Sequence, residues 1–531
     1  MSRAEHPWSK TSPDQTWDAI VIGSGMGGMT AAAFLAELGK KVLVLEQHYV
    51  PGGFTHTFRR KQWRWDVGVH AVGEVSPKSL TGRLLRRLSG GQLEWASLGP
   101  VYDEFWYPGG FRIDFPDRPD QFRQNLISAF PEDRRAIDEY LSLVKDVAGA
   151  MKSYYLARTL PAGLGSVADL LLARRAQAHL DRKTGEVLEA LTPNPKLRAV
   201  LASQWGYYGS PPSRSSFAIQ ALVAKHFMWG GYYPIGGSQR IAETLLGRVA
   251  AAGGWTRIHA DVAEILVEGD RAVGVRLEGG EILRSARVIS AAGVASTVTR
   301  LLPESHRRPG SWTEAPAALP PAPAHVCLYL GFRGDIRAAG ASAANKWFYD
   351  TWDLEAESWE VRPTGEIPRA PCLYSSFPSL KDPTHDPGPE QLHTGEVVTF
   401  VPWETFEPWR DARWRKRGAD YESLKQRLEE RLLGQLLEHM PKLEPLIAYK
   451  ELSTPVSTDH FVRPMRGSIY GLEPTPQRFR TAALRPRSPI RGLFFAGSEV
   501  ATVGVIGAMM GGVLAVASAE PRAALSLLRS L

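Results

Sequence analysis

The sequence predicts an α/β fold: a Rossmann-like nucleotide-binding domain, discontinuous in the chain, with an α+β domain interleaved between its pieces. Three observations carry this reading. Residues 18–46 read as a strand, a glycine turn, a helix and a second strand. Residues 226–300 return to short strands separated by glycine pairs. Residues 492–512 repeat a strand, a glycine turn and a glycine-rich helix near the other end.

In chain order, Ala19–Ile22 (AIVI) is the first strand. A helix of strong helix formers is expected over 29–38, ended by Gly39. Residues 41–45 (KVLVL) are apolar almost throughout, as in a parallel strand buried on both faces. Residues 80–225 read as mostly helical, with prolines between segments. Further strands are expected at 257–260, Val262–Glu268, 272–277 and Val288–Ser290. A proline-rich linker at 309–323 leads to strands and long loops over 324–405. Leu424, Leu428, Leu432, Leu436 and Met440 then mark an amphipathic helix over 421–440. The nucleotide-binding domain is assigned to 1–80, 226–300 and 451–531, and the second lobe to 81–225 and 301–450.

With 531 residues the core needs no disulfide staples. Cys327 and Cys372, the two cysteines, share no metal-ligand spacing and read as reduced thiols of a cytoplasmic protein. The net charge of +7 decides nothing alone, and no nucleic-acid partner is expected. Several of the sixteen tryptophans adjoin arginines, as in Trp63-Arg64-Trp65 and over 409–417. Such pairs suit a water–lipid boundary and equally an ordinary packed surface. Residues 81–88 and 170–175 mix apolar and basic side chains, and serve either as docking faces on a bilayer or as solvated faces. No apolar h-region precedes Ala19, so no signal peptide is expected. Residues 19–36 and 500–519 lack charges and carry GxxxG spacings, yet both are too glycine-broken for spans.

The turn Gly23-x-Gly25-x-x-Gly28 joins the first strand to the first helix. Its glycines permit a tight turn, close approach of a pyrophosphate, and close helix–strand packing. Amides of Met26, Gly27 and Gly28 open the helix, where the dipole favours phosphate. Glu46, 18 residues past Gly28, ends the second strand and suits ribose hydroxyls, with Gln47 beside it. Residues 163–168 also fit GxGxxA, but no strand precedes them, and they read as a loop before a helix. A single fingerprint argues against a separate nicotinamide domain. Gly52, Gly53, Phe54 and Thr55 add exposed amides near the first site. Val262 offers its main chain to an adenine edge. The 492–512 segment offers a helix N-terminus to a flavin ring. Together these favour FAD over NAD, in a flavin fold of the glutathione-reductase type.

Several stretches resemble the FAD-dependent carotenoid desaturase superfamily, and within it the branch of retinol saturase and carotenoid cis–trans isomerase: DAIVIGSGMGGMTAAAFLAELGKKVLVLEQHYVPGGFTHTF, DVGVH, YYPIGGSQRIAETL, ELSTPVSTDHF, GSIYGLE and GLFFAGSEVATVGVIGAMMGG. The resemblance implies phosphate contacts at Gly23, Gly25 and Gly28, ribose at Glu46 and adenine at Val262. It implies ribityl and pyrophosphate contacts at Gly497 and Glu499, and flavin contact at Gly507, Ala508 and Met509. It further implies an apolar polyene or isoprenoid substrate and peripheral membrane association. Saturation, isomerisation and desaturation all occur in it; saturation or isomerisation is expected here. Desaturation or oxidation of a carotenoid or other long isoprenoid chain, an amine-oxidase-like flavoenzyme and a non-catalytic flavin-stabilised lipid carrier are the competing readings. Two residues are candidates for the chemistry. His70, in Asp66-x-Gly68-x-His70, is either a proton donor or a structural histidine. Tyr470 is an acid or a substrate wall. Oligomeric state is left open.

Overall fold

The computed structural model describes residues 6–159, 174–356 and 358–531. The GxGxxA run at 163–168 and residues 170–173 lie outside the described residues.

A six-stranded parallel sheet runs in the order Trp8–Ser9, Trp255–Arg257, Val42–Leu45, Ala19–Ile22, Val288–Ser290, Leu493–Phe495. Its central strands are buried at every position, which is why they read as continuous apolar runs. Between Ala19–Ile22 and Val42–Leu45 the chain passes through helix Met26–Glu37. That helix begins three residues earlier than the sequence predicts. Gly25 adopts φ −64° and ψ 172° as its N-cap, so the amides from Met26 onward already belong to the first turn. Helix Gly504–Ala519 packs against it. Strands Val262–Glu268, Arg271–Leu277 and Ile282–Arg284 form a separate antiparallel meander.

A second, seven-stranded sheet runs Ile447–Ser453, Ala324–Arg333, Leu392–Val401, Cys372–Ser376, Asn345–Tyr349, Val101–Tyr107, Phe111–Pro116. Its last two strands correct the helical reading of 80–225. The pattern VYDEFWY-PGG-FRIDFP is a hairpin, turned by Gly109 and Gly110 at positive φ, and its aromatic residues pack against the helices that follow. Those helices include Pro119–Ala129, Arg134–Arg158 and Phe217–His226. Helix Ala419–His439 matches the leucine stripe and buries it against the second sheet.

Trp63 and Trp65 lie on the hairpin Thr57–Arg60 and Trp63–Asp66, buried, with indole N–H groups donating to Phe332 O (3.2 Å) and Leu330 O (2.9 Å). Trp409 is buried as well. These tryptophans serve the core rather than a lipid boundary. Among the described residues no helix is long and apolar enough to cross a membrane.

Candidate active site

Each glycine of the first turn does separate work. A Cβ on Gly28 would lie 2.1 Å from Gly23 O, and one on Gly27 would lie 2.5 Å from Gly497 Cα. A Cβ on Gly25 would meet nothing within 4 Å. Gly27 and Gly28 are therefore packing glycines, and the space over Gly25 is open. That space belongs to a cavity of about 130 Å³ lined by Gly23, Gly25, Glu46, Gln47, Gly53 and Val262, with Arg300 and Arg463 at its edge. Gly53 crosses close above, where a Cβ would lie 3.0 Å from Gly25 Cα. Gly52 N donates to Ser24 Oγ (3.0 Å), and Thr55 Oγ1 donates to Gly52 O (2.8 Å).

Glu46 is buried at this cavity. Its Oε2 accepts from Ser24 N (2.9 Å) and Ser24 Oγ (2.5 Å), and its Oε1 from His48 N (2.8 Å). Gln47 turns its amide to Phe461 O. His56 is buried with Nδ1 2.5 Å from Gly53 O, a structural role.

A second cavity, of about 530 Å³, begins on the other side of the same loop pair. Met26, Phe54 and Thr55 line it where Gly25 and Gly53 line the first. Gly507, Ala508 and Ser498 form part of its wall, and Met509 does not, being fully buried in the core between the two glycine-rich helices. Gly497, at φ +104°, lies beneath Gly27 and touches neither cavity. Glu499 lines neither cavity. Its carboxyl is buried, accepts from Ala295 N (3.1 Å), and faces Arg478; burial raises its pKa. The open space over Gly25, the amide-rich helix start and the adjoining cavity together fit an extended dinucleotide such as FAD.

His70 and Tyr470 both line the larger cavity. Tyr470 donates its hydroxyl to Gly206 O (3.0 Å), and burial raises the phenol above its ordinary range, which suits a wall better than an acid. His70 Nδ1 lies 2.9 Å from Glu396 Oε2, short of ideal hydrogen-bond alignment; neither atom has another hydrogen-bond partner. Glu396 Oε1 accepts from Asp66 N (3.0 Å). Lys381 Nζ donates to His70 O (2.7 Å), Ser376 Oγ (2.7 Å) and Asn345 Oδ1. Asn345 and Tyr207 in turn donate to Asp103 Oδ1 (3.0 and 2.7 Å). Burial pushes His70 down to about 3, helped by Lys381, and pushes Glu396 up to about 8 against the opposing pull of Lys381. Burial also lowers Lys381 to about 7. Burial thus favours the neutral imidazole of His70 and the protonated carboxyl of Glu396.

Glu396, Lys381, Asn345 and Asp103 escaped the sequence reading because no motif links them. One signal exists: Glu396 is a lone acid inside Gly395-Glu-Val-Val-Thr-Phe-Val401, a run otherwise suited to a buried strand.

Residues 26–519 match the family of flavin containing amine oxidoreductases. The chain belongs to that family. It is an FAD-dependent oxidoreductase, as the fingerprint and the two adjoining cavities led one to expect. The flavoenzyme is 32% identical to the all-trans-retinol 13,14-reductase of Danio rerio, over 93% of this chain and 84% of that protein. It is 25% identical to a chloroplastic prolycopene isomerase of Daucus carota, over 93% and 79%. The branch read from the sequence is the one these relatives occupy. Among solved structures, the cyclohexylamine oxidase of Brevibacterium oxydans IH-35A shares the fold at a TM-score of 0.61 and 18% identity, covering 97% of this chain and all of that one.

Proposed function

We propose that this flavoenzyme acts on a carbon–carbon double bond of a long apolar polyene of the retinoid or carotenoid kind, by saturation or cis–trans isomerisation, with saturation preferred. The observation that carries the reading is the cavity of about 530 Å³, whose wall runs from Phe54, His70 and Tyr470 past Met151 and Val223 to the half-exposed Leu80. Such a wall accepts an apolar chain with few polar demands. The relatives' names point the same way.

In this reading the adenosine half lies in the smaller cavity between Glu46 and Val262. The amides of Met26 to Gly28 over Gly25 would hold the pyrophosphate, and Gly507 and Ala508 would face the ring. Bound there, FAD supplies two-electron exchange. The chain's own part is to orient one double bond, exclude water, and hold a proton at the cavity face of His70. Tyr207 and Tyr374 meet edge to face at 5.9 Å, in contact rather than as two plates of a cage, which disfavours an amine substrate. The basic helix Leu80–Leu88 beside the exposed Leu80 supports entry of substrate from a lipid surface, by a cytoplasmic protein bound peripherally.

The test is anaerobic incubation of the reduced holoenzyme with retinol and with lycopene isomers, followed by chromatography. Loss of one double bond supports saturation, and a change of isomer without loss supports isomerisation. If every polyene is returned unchanged while the flavin stays bound, the substrate reading fails.

A further inference from the structure

The structure assigns Glu396 as the positioning residue behind His70: it stores the proton that His70 hands to the substrate carbon, and Lys381 fixes both. This deepens the proposed saturation and rests on that reading.

The geometry comes first. His70 has two ring nitrogens. Nδ1 lies 2.9 Å from Glu396 Oε2, within reach of a hydrogen bond after a small rotation of either side chain, so Nε2 is the nitrogen left for the cavity that His70 lines. Glu396 Oε2 has no hydrogen-bond partner. Asp66 cannot take this role, because its carboxyl is already occupied by Tyr233 Oη, by Ser238 Oγ (2.5 Å) and by Ser238 N (3.2 Å). The hairpin that ends in Trp63–Asp66 and strand Leu392–Val401 hold the two halves of the pair, bridged by the Asp66 N–H on Glu396 Oε1. Lys381 grips the His70 carbonyl and so fixes the ring from its main chain.

With reduced FAD bound, a hydride equivalent would be available to one carbon of the double bond. The π pair moves to the neighbouring carbon, which forms its C–H bond with the proton on His70 Nε2. Nδ1 takes the Glu396 proton, so the imidazole stays neutral throughout and Glu396 ends as a carboxylate. An isolated imidazole in this burial would instead have to be charged beforehand, and burial opposes that, since its pKa is held at about 3. The groups that set the Glu396 proton are Lys381, which favours its loss, and Asp66, whose N–H does the same. The Asp66 carboxyl, itself raised to about 6 by burial and by Glu396, opposes that loss, and the other titratable groups facing it are Tyr374, Cys327, Tyr329 and Tyr233, all held neutral by burial. Lys381, lowered to about 7 by burial, acts on the pair chiefly through its hydrogen bond to the His70 carbonyl.

Two measurements on the holoenzyme test this. The first needs no turnover. Infrared difference spectra of the oxidised protein, taken across the range from neutral to alkaline pH in water and D2O, should carry a protonated-carboxyl band that is lost on the alkaline side and is missing from Glu396→Gln. The second is the pH profile of kcat/KM. Wild type should lose activity as pH rises through about 8. Glu396→Gln should fall at least about ten-fold at neutral pH and lose that basic limb. Glu396→Asp should recover part of the rate with the limb restored. Lys381→Met, a second route should the glutamine variant not fold, removes the hydrogen bond that holds the His70 carbonyl, so kcat/KM at neutral pH should fall at least about ten-fold with flavin content retained. Absence of the band in wild type, an unchanged basic limb in Glu396→Gln, or an unchanged rate in Lys381→Met overturns the assignment. If wild type converts no polyene, the substrate reading fails, and the infrared band alone decides whether Glu396 stores the proton.

Discussion

Gly27 and Gly497 touch main chain to main chain: a methyl group on Gly27 would fall 2.5 Å from the Gly497 Cα. The contact extends along both glycine-rich helices. A Cβ on Gly511 would lie 2.0 Å from Gly497 O, and one on Gly512 would lie 2.4 Å from Gly27 O. The GxxxG spacings that imitate a membrane dimer thus serve close packing inside an α/β core, where only glycine lets two backbones approach so far.

This separates the glycines by experiment. Gly27→Ala and Gly512→Ala force the helices apart, and each should lower stability by several kcal/mol, as overpacking and backbone shifts do. Gly25→Ala should leave the melting temperature of the apoprotein unchanged, since the residue has φ −64° and faces open space. The same methyl occupies the space proposed for phosphate, so flavin affinity should fall about ten-fold or more. Thermal melts of apoprotein, paired with flavin titrations, check both halves.

The pair His70 and Tyr470 divides in the same manner. Tyr470→Phe removes one hydrogen bond, to Gly206 O, and keeps the wall, so turnover should change by less than about three-fold. His70→Gln removes the ring nitrogen that faces the cavity. It should lower kcat by about 100-fold or more with flavin content retained. Steady-state rates on flavin-loaded protein distinguish the two.

The strand–turn–helix at the first glycine loop was legible because its chemistry is local: neighbours in sequence make the turn, cap the helix and face the phosphate space. The Val101–Phe115 hairpin was not, because its aromatic residues satisfy a helical period as well as an alternating one, and only the pairing with Asn345–Tyr349 selects the strand. The proton network was the least legible part. His70 lies 311 residues before Lys381, which is followed closely by Glu396, so the ring meets its partners only after two distant parts of the chain have folded together. Glu499 shows the converse. Its place after a glycine turn suggested the cofactor, but the fold turns its side chain inward to the amide of Ala295.

That orientation has a measurable consequence. Glu499→Gln replaces a carboxylate oxygen with an amide N–H where main-chain donors converge, leaving one donor unmatched. Stability should fall by about 1–3 kcal/mol. Flavin affinity should change by less than about three-fold, since the residue lines neither cavity. Denaturant melts of apoprotein and flavin titration of the same variant give the two numbers.

Acid should unfold this protein early, and the sign follows from the histidines. Burial lowers His48, His56, His226 and His325 to about 4, and His70 to about 3. In the unfolded chain each titrates near its ordinary 6.5. A depressed histidine adds stability above that value and loses it as pH falls toward the folded value, because only the unfolded state takes up the proton. Asp66, raised to about 6, and Glu396, raised to about 8, act in the opposite sense: the folded state keeps their protons, and their contribution grows as pH falls through the same window. Asp103, Asp459 and Glu499 are raised as well, and His179, His393, His439 and His460 are lowered, so nine depressed histidines oppose five raised carboxyls and stability should drop between about pH 6.5 and 4. His325 offers the cleanest check, because its Nδ1 has no hydrogen-bond partner to lose. In His325→Phe one such proton is removed, and the acid limb of stability against pH should be shallower by about 1.4 kcal/mol per pH unit. Urea melts at several pH values on wild type and variant measure the two slopes; parallel slopes would show that His325 is charged in the folded protein.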